Sequence, residues 1–306
     1  MATQKEVKNR IASVKNINKI TRAMEMVAAA RLRRAEQRIS DLRPYAEGIR
    51  KLTRQAAAQA GGIPRVPVLV ERETVNRVGI VLVTGDRGLA GAFNTNIIRE
   101  GMRMAAEVRE QGAEPSFAVV GRKGVSAMTF RKQDVSSSYV GFTDRPAFAN
   151  AREIGEEMTA RYVDEDLDRV ELIYNRFVSP LTQHVWRQTL LPLQQAEVIG
   201  EGADSEENAE EETEAEKAQS RSEWIYEPDA EELLGRLIPE YVTISVYRAL
   251  LESAASELGA RMTAMRNAAE NAEQMIGDLT LEMNRVRQAE ITQEILEVVA
   301  GAEALG

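Results

Sequence analysis

Apolar and small residues recur along the last third of the chain as Leu251, Ala254, Leu258, Met262, Met265, Ala269, Ala272, Ile276, Leu279, Met283 and Val286. The steps alternate between three and four and average 3.5 residues. That is the period of a left-handed coiled coil, not of a lone straight helix. Residues 241–300 contain no proline and consist mostly of strong helix formers. The pattern therefore predicts one helix of roughly 90 Å at 1.5 Å per residue, which needs a partner helix. The first 58 residues supply one. Val7, Ile11, Val14, Ile17, Ile20, Met24, Ala28, Leu32, Ala35, Ile39 and Leu42 form a stripe with the same mean step of 3.5. Thr3 and Glu6 have the spacing of a capping box at its start. Pro44 predicts a kink or restart near Arg43, and Gly61–Gly62 an end. Because the two stripes lie at opposite ends of the chain, an antiparallel pair closed by an inserted domain is the simplest arrangement.

Between the stripes the period changes. The run VGIVLVTGD (78–86) reads as a buried parallel strand, followed by a helix from about residue 92 to 111. SFAVVG (116–121) and VSSSYVG (135–141) read as further strands, separated by the short helix RKGVSAMTFRK. A helix over 149–166 precedes two strands, 168–177 and 182–193, joined by a turn at Ser179–Pro180. Strand–helix alternation ending in a hairpin predicts a Rossmann-like α/β domain. EWIYEPD (223–229) reads as a last short strand, and Pro239 predicts a bend before the long helix. The fold class is thus α/β: terminal helices in a long antiparallel coiled coil, with an α/β domain inserted between them. The parts are 1–62, 63–230 and 231–306.

Charge refines this picture. Residues 1–54 hold fourteen Lys/Arg against five acids, and residues 257–303 nine acids against four Arg. Two helical segments of opposite sign attract. Residues 201–223 carry ten acids and two bases without apolar anchors, the composition of a solvated acidic loop. The basic cluster RLRRAEQR (31–38) admits a nucleic-acid reading, but no aromatic residue is interleaved to stack on a base. With no cysteine there is no disulfide, zinc–thiolate or thiol chemistry. No run of about 18 apolar residues exists to span a membrane, and the first ten residues lack the apolar core of a signal peptide.

One loop has the position for chemistry. TGDRGLAGAFN (84–94) follows a strand and opens a helix, where N–H groups can hold a phosphate. Its glycines, Gly85, Gly88 and Gly91, are spaced GxxGxxG, which is neither dinucleotide nor P-loop spacing. A tight strand-to-helix turn with a structural or interface role is the favoured reading, and a nucleotide site the alternative. His184 is the only histidine and falls on an alternating strand, the pattern of an edge or surface position. Nothing nominates a general base, a metal cluster or a cofactor.

Several motifs, in order, resemble the gamma subunits of F-type ATP synthases: KITRAMEMVAAARLRRA, TGDRGLAGAFN, YEPD, SELGARMTAMRNAAENA and RQAEITQEILEVVAGA. The resemblance covers both ends and the middle, and is weakest over 125–165. It implies a rotor subunit that is not an enzyme by itself, binds no cofactor and is present in one copy per complex. Its partners would be a ring of alpha and beta subunits, an epsilon subunit and a membrane c-ring, the only link to the membrane; nucleic acid is not among them. Proton flow through the c-ring would turn the shaft and drive ATP synthesis at the beta-subunit sites. Met24 and Arg261 match positions near the acidic lever of the beta subunits. Arg287, Gln288, Thr292 and Glu294 match positions that engage the catch loops of the ring. Trp224, Tyr226 and Glu227 match the foot facing the c-ring and epsilon. Plant chloroplast relatives carry a redox cysteine pair in the insertion matching 200–222; this chain has none. Its place would be the cytoplasmic face of a bacterial membrane. A soluble nucleotide-binding α/β protein with coiled-coil arms, or a DNA-binding scaffold, are the rival readings.

Overall fold

The computed structural model describes residues 3–59, 67–193 and 230–305. The chain forms two compact units: Met1–Arg31 with Arg261–Gly306, and Leu32–Ala260. Helix α1 spans Gln4–Gln59 and helix α5 spans Ala230–Leu305, so each contributes to both units.

In the first unit the two helices are antiparallel. Gln4 N–H donates to the Glu290 carboxylate, the Asn18 side-chain amide to the Ala269 carbonyl at 2.7 Å, and Arg266 to Glu25 at 2.9 Å. Arg22 and Glu273 pair at 2.8 Å between exposed side chains. The Thr3–Glu6 capping box is present, with Thr3 N–H on the Glu6 carboxylate and Glu6 N–H on the Thr3 hydroxyl. The α5 stripe from Met262 to Val286 lies at buried or half-buried positions, as its period predicts.

The α1 stripe needs a correction. Ile17 and Ile20 are 52% and 58% exposed. A strict 4–3 repeat counted from Val7 passes through Ile11, Val14, Asn18 and Thr21, and these are the residues turned inward. Following the isoleucines shifts the seam by one residue. Asn18 answers its burial with the bond to Ala269, and Thr21 by folding its hydroxyl onto the Ile17 and Asn18 carbonyls. A polar residue at such a position fixes register at a cost in stability. Asn18→Leu is therefore expected to raise the thermal stability of the helix pair by about 1 kcal/mol, read as a later helical melt by circular dichroism.

Neither proline breaks its helix. Pro44 sits inside α1 and Pro239 inside α5. Each removes one N–H, but burial of Leu32, Ala35 and Ile49 around the first, and of Leu234, Ile238 and Val242 around the second, holds the helices through. The carbonyl that Pro239 crowds, four residues back, belongs to Gly235, whose Cα has open space around it.

The second unit is a doubly wound sheet. Its elements are β1 (Arg77–Val83), α2 (Phe93–Glu110), β2 (Glu114–Val120), α3 (Arg122–Phe130), β3 (Val135–Tyr139), α4 (Phe148–Val163), β4 (Arg169–Phe177) and β5 (Gln183–Leu191). The strand order is β3-β2-β1-β4-β5, parallel except for the β4–β5 hairpin. Alternate residues of one strand serve opposite faces. Ile80, Leu82, Phe117, Val119 and Ile173 pack with α2 and α3, through Ile97, Ala105 and Met128. Val81, Val83, Ala118, Val120 and Leu172 pack with α4 and with the start of α5, through Ile154, Met158, Ile238, Val242 and Val246. The strand order reverses between β1 and β4, so their carboxyl ends flank the crevice where folds of this kind usually bind ligands.

Candidate functional site

In this chain that crevice is occupied by its own helix. Every residue of α5 from 249 to 259 is buried, including Glu252, Ser253, Ser256 and Glu257. The Ser253 hydroxyl donates to the Val83 carbonyl at the end of β1, at 3.4 Å. The Ser256 hydroxyl donates to the Asn175 carbonyl of β4, at 3.0 Å. Small residues let the helix approach the strand ends closely: a Cβ on Gly259 would lie 2.9 Å from the Pro180 carbonyl oxygen. Sequence reasoning placed Leu251, Ala254 and Leu258 in a seam and missed the inward-facing serines. The signal was the run SAASELGA, where small and polar residues surround the helix on all sides, a composition suited to close backbone contact.

The glycine loop is built to the same end. Gly85 meets α5 so closely that a Cβ there would lie 2.7 Å from the buried Glu257 carboxylate. Its N–H donates to the Asn94 side-chain oxygen and its carbonyl accepts from Lys123 N–H. The Asp86 carboxylate accepts from the N–H groups of Arg122, Gly141 and Thr143 and from the Thr143 hydroxyl. Burial alone pushes the Asp86 carboxyl up, but these donors outweigh it and hold it below the usual carboxylate range. Asp86 thus fills the anion position at the start of α3, and Glu257 places a second carboxylate in the crevice. A phosphate would meet two carboxylates and N–H groups already engaged. The geometry favours the structural turn over the nucleotide site.

Lowered carboxyl groups set the acid response. Glu100 and Glu107 are bound by Arg187, whose guanidinium pins β5 to α2. For Glu100, burial raises the carboxyl, and the Arg103 and Arg187 contacts more than reverse it. For Glu107 the Arg187 hydrogen bond leads. A depressed folded value means stability present above the unfolded carboxylate range and lost as pH falls through the folded one. The urea midpoint should therefore fall below about pH 4.5, and Asp86→Asn should flatten that limb while lowering the midpoint near neutrality.

Each sequence-nominated residue has a definite place. Met24 is half-buried on α1, next to Glu25, which pairs with Arg266. Arg261 is buried at the end of the first unit. Arg287, Gln288, Thr292 and Glu294 are exposed on α5, and Thr292 folds its hydroxyl onto the Gln288 carbonyl. Trp224, Tyr226 and Glu227, the strand expected over 223–229, the acidic loop and Gly61–Gly62 lie outside the described residues. His184 is exposed on edge strand β5, as the alternation predicted. Among the described residues no helix is long and apolar enough to cross a membrane, and no cluster of His, Cys, Asp or Glu could hold a metal.

Comparison with known proteins covers the chain from end to end. A family model described as ATP synthase matches residues 3–305. The ATP synthase gamma chain of Rubrobacter xylanophilus is 43% identical over 305 residues, covering 100% of this chain and 99% of that one. That of Nostoc punctiforme is 42% identical over 321 residues, covering 100% of both. Among solved structures, a chain of the Tetrahymena thermophila mitochondrial ATP synthase central stalk and c-ring is 29% identical, with a TM-score of 0.58, covering 81% of this chain and 99% of that one. A chain of the Euglena gracilis mitochondrial ATP synthase shares the fold at 20% identity, with a TM-score of 0.66 over 99% of this chain and 94% of that one. The chain therefore belongs to the ATP synthase gamma-chain family and is a central-stalk subunit of an F-type ATP synthase.

Proposed function

We propose that this chain is the non-catalytic turning element of its complex, one copy per ring of alpha and beta subunits, with its foot against an epsilon subunit and a c-ring. Proton flow turns the foot. The asymmetric helix pair then drives the beta-subunit sites through ATP synthesis, or is driven by hydrolysis in reverse. The complex stands on the cytoplasmic face of a bacterial membrane and reaches the bilayer only through the c-ring.

The observation that carries this reading is the outer surface of the first unit. With the seam buried, Ile17, Ile20, Met26, Val27 and Leu281 are still half exposed or more, and Ile295, Leu296, Val298 and Val299 are as exposed on the stretch of α5 beyond the Gln4–Glu290 contact. Scattered apolar residues are ordinary, but a dense set along the helix pair and the end of α5 that extends past it marks a surface covered by other chains. Arg287, Gln288, Thr292 and Glu294 lie among them and are assigned to the ring. Met24 and Arg261 are assigned to the beta-subunit lever, and Trp224, Tyr226 and Glu227 to the foot. Co-expression with alpha and beta subunits tests the assembly: a stable complex with one copy of this chain is expected, and purification of the chain free of both would overturn it.

Met24→Lys should lower proton pumping per ATP hydrolysed while the complex still assembles. The new cation would replace an apolar side chain at a half-buried position on the helix surface assigned to the beta-subunit lever. Vesicle acidification assayed with ATP turnover reads this, and an unchanged ratio would remove Met24 from the coupling surface.

A further inference from the structure

Torque has to pass between α5 and the sheet, and the structure assigns that load to the residues of α5 between 253 and 259. This rests on the coupling role proposed above. Ser253, Ser256 and Gly259 stand three apart and form one ridge of the helix. Ser256 is bonded to β4 at 3.0 Å, and Ser253 reaches the end of β1, the central strand, by a longer contact of 3.4 Å. Gly259 lies against the Pro180 carbonyl in the β4–β5 turn, a turn closed by paired Ser179–Thr182 backbone bonds and by Gln183 donating to Pro180. One step off the ridge, Glu257 is lodged against Gly85.

Such contacts resist twisting in a way apolar packing does not. Higher up the same helix, Ile238, Val242 and Val246 meet the sheet through apolar surface. Apolar packing is not directional, so a helix under torque can rotate across it by exchanging rotamers. A hydroxyl–carbonyl bond weakens steeply once its angle opens, which fixes the rotation of the helix about its axis. Tight approach at Gly85 and Gly259 adds a steric stop in either sense. The site that binds ligands in other doubly wound sheets has become a joint: the crevice holds a helix, and the strand ends grip it.

Removing the hydroxyls should let the joint slip. Each lost bond raises the population of a slipped arrangement by roughly fivefold, so the double variant Ser253→Ala/Ser256→Ala should lose much of its proton pumping per ATP hydrolysed. The test uses the whole complex in proton-tight vesicles, with acidification and ATP turnover recorded together. Val246→Ala serves as the comparison, because it weakens packing of the same helix without touching a directional bond. Pumping per ATP is expected to fall in the double variant and to stay at the wild-type value in Val246→Ala. The single Ser256→Ala variant should show a smaller loss in the same direction, and decides the question if the double variant does not assemble. An unchanged ratio in the serine variants, or an equal fall in Val246→Ala, overturns the joint while the coupling role stands. Absence of ATP-driven pumping with the wild-type chain overturns the coupling role itself, and the joint with it.

Discussion

Gly121→Ala should cost the α/β unit about 4 kcal/mol or more, enough to remove most of the stability of an ordinary domain. Gly121 ends β2 at φ 92° and ψ 136°, a conformation open to glycine and strained for any L side chain. A Cβ there would stand 2.3 Å from the Thr84 carbonyl oxygen and 2.8 Å from its hydroxyl. Neither atom can yield. Thr84 donates its N–H and its hydroxyl to the Val120 carbonyl and accepts from Gly124 N–H, so it is held on three sides. Gly112 separates the two costs. It has φ 83° but open space around it, and Gly112→Ala should cost only about 1 kcal/mol. Urea unfolding of both variants reads the difference; equal midpoints would mean that the contact with Thr84 carries no energy.

The second large effect is expected at Gly85. Gly85→Val introduces a branched side chain where a Cβ already lies 2.7 Å from the Glu257 carboxylate. Elsewhere a glutamate tip would swing away. Here Glu257 is 2% exposed, so moving it means lifting α5 off the strand ends. Overpacking of this kind costs up to about 3 kcal/mol, and the loss should appear both in the urea midpoint and in faster amide exchange of residues 249–259. A Gly85→Val chain as stable as the wild type would mean that α5 does not close the crevice.

The sheet was legible because each of its elements buries a recognisable pattern. VGIVLV and SFAVV are continuous apolar runs, as central parallel strands must be. The edge strand at 183–191 alternates and leaves His184 outward. The helices between them began and ended within one to three residues of where their composition changes. The seam of α1 was harder. Ile17 and Ile20 are the strongest apolar residues in their turn, yet the heptad count selects Asn18 and Thr21, because helix pairing follows geometry before hydrophobicity. The isoleucines are then left exposed on the surface proposed to meet other chains, which no property of one chain's seam can announce. The occupant of the crevice was hidden for a related reason. The glycine loop was read from its own spacing, whereas its surroundings include Glu257 against Gly85 and Ser253 at the end of β1, distant in sequence and polar in a place expected to be apolar. Pro44 and Pro239 left a restart open by local rules, and the helices instead run through both, with Ile49, Ile238 and Val242 buried beside them.

The central claim, that this chain turns within its ring, is tested most directly by watching it. The sequence has no cysteine, so a single thiol introduced as Phe130→Cys, at a side chain 87% exposed on the end of α3, gives one attachment point. With the alpha–beta ring fixed to a surface and a bead on that thiol, addition of ATP should produce sustained rotation in one direction. A bead that stays at one angle while the same complexes hydrolyse ATP would contradict the account.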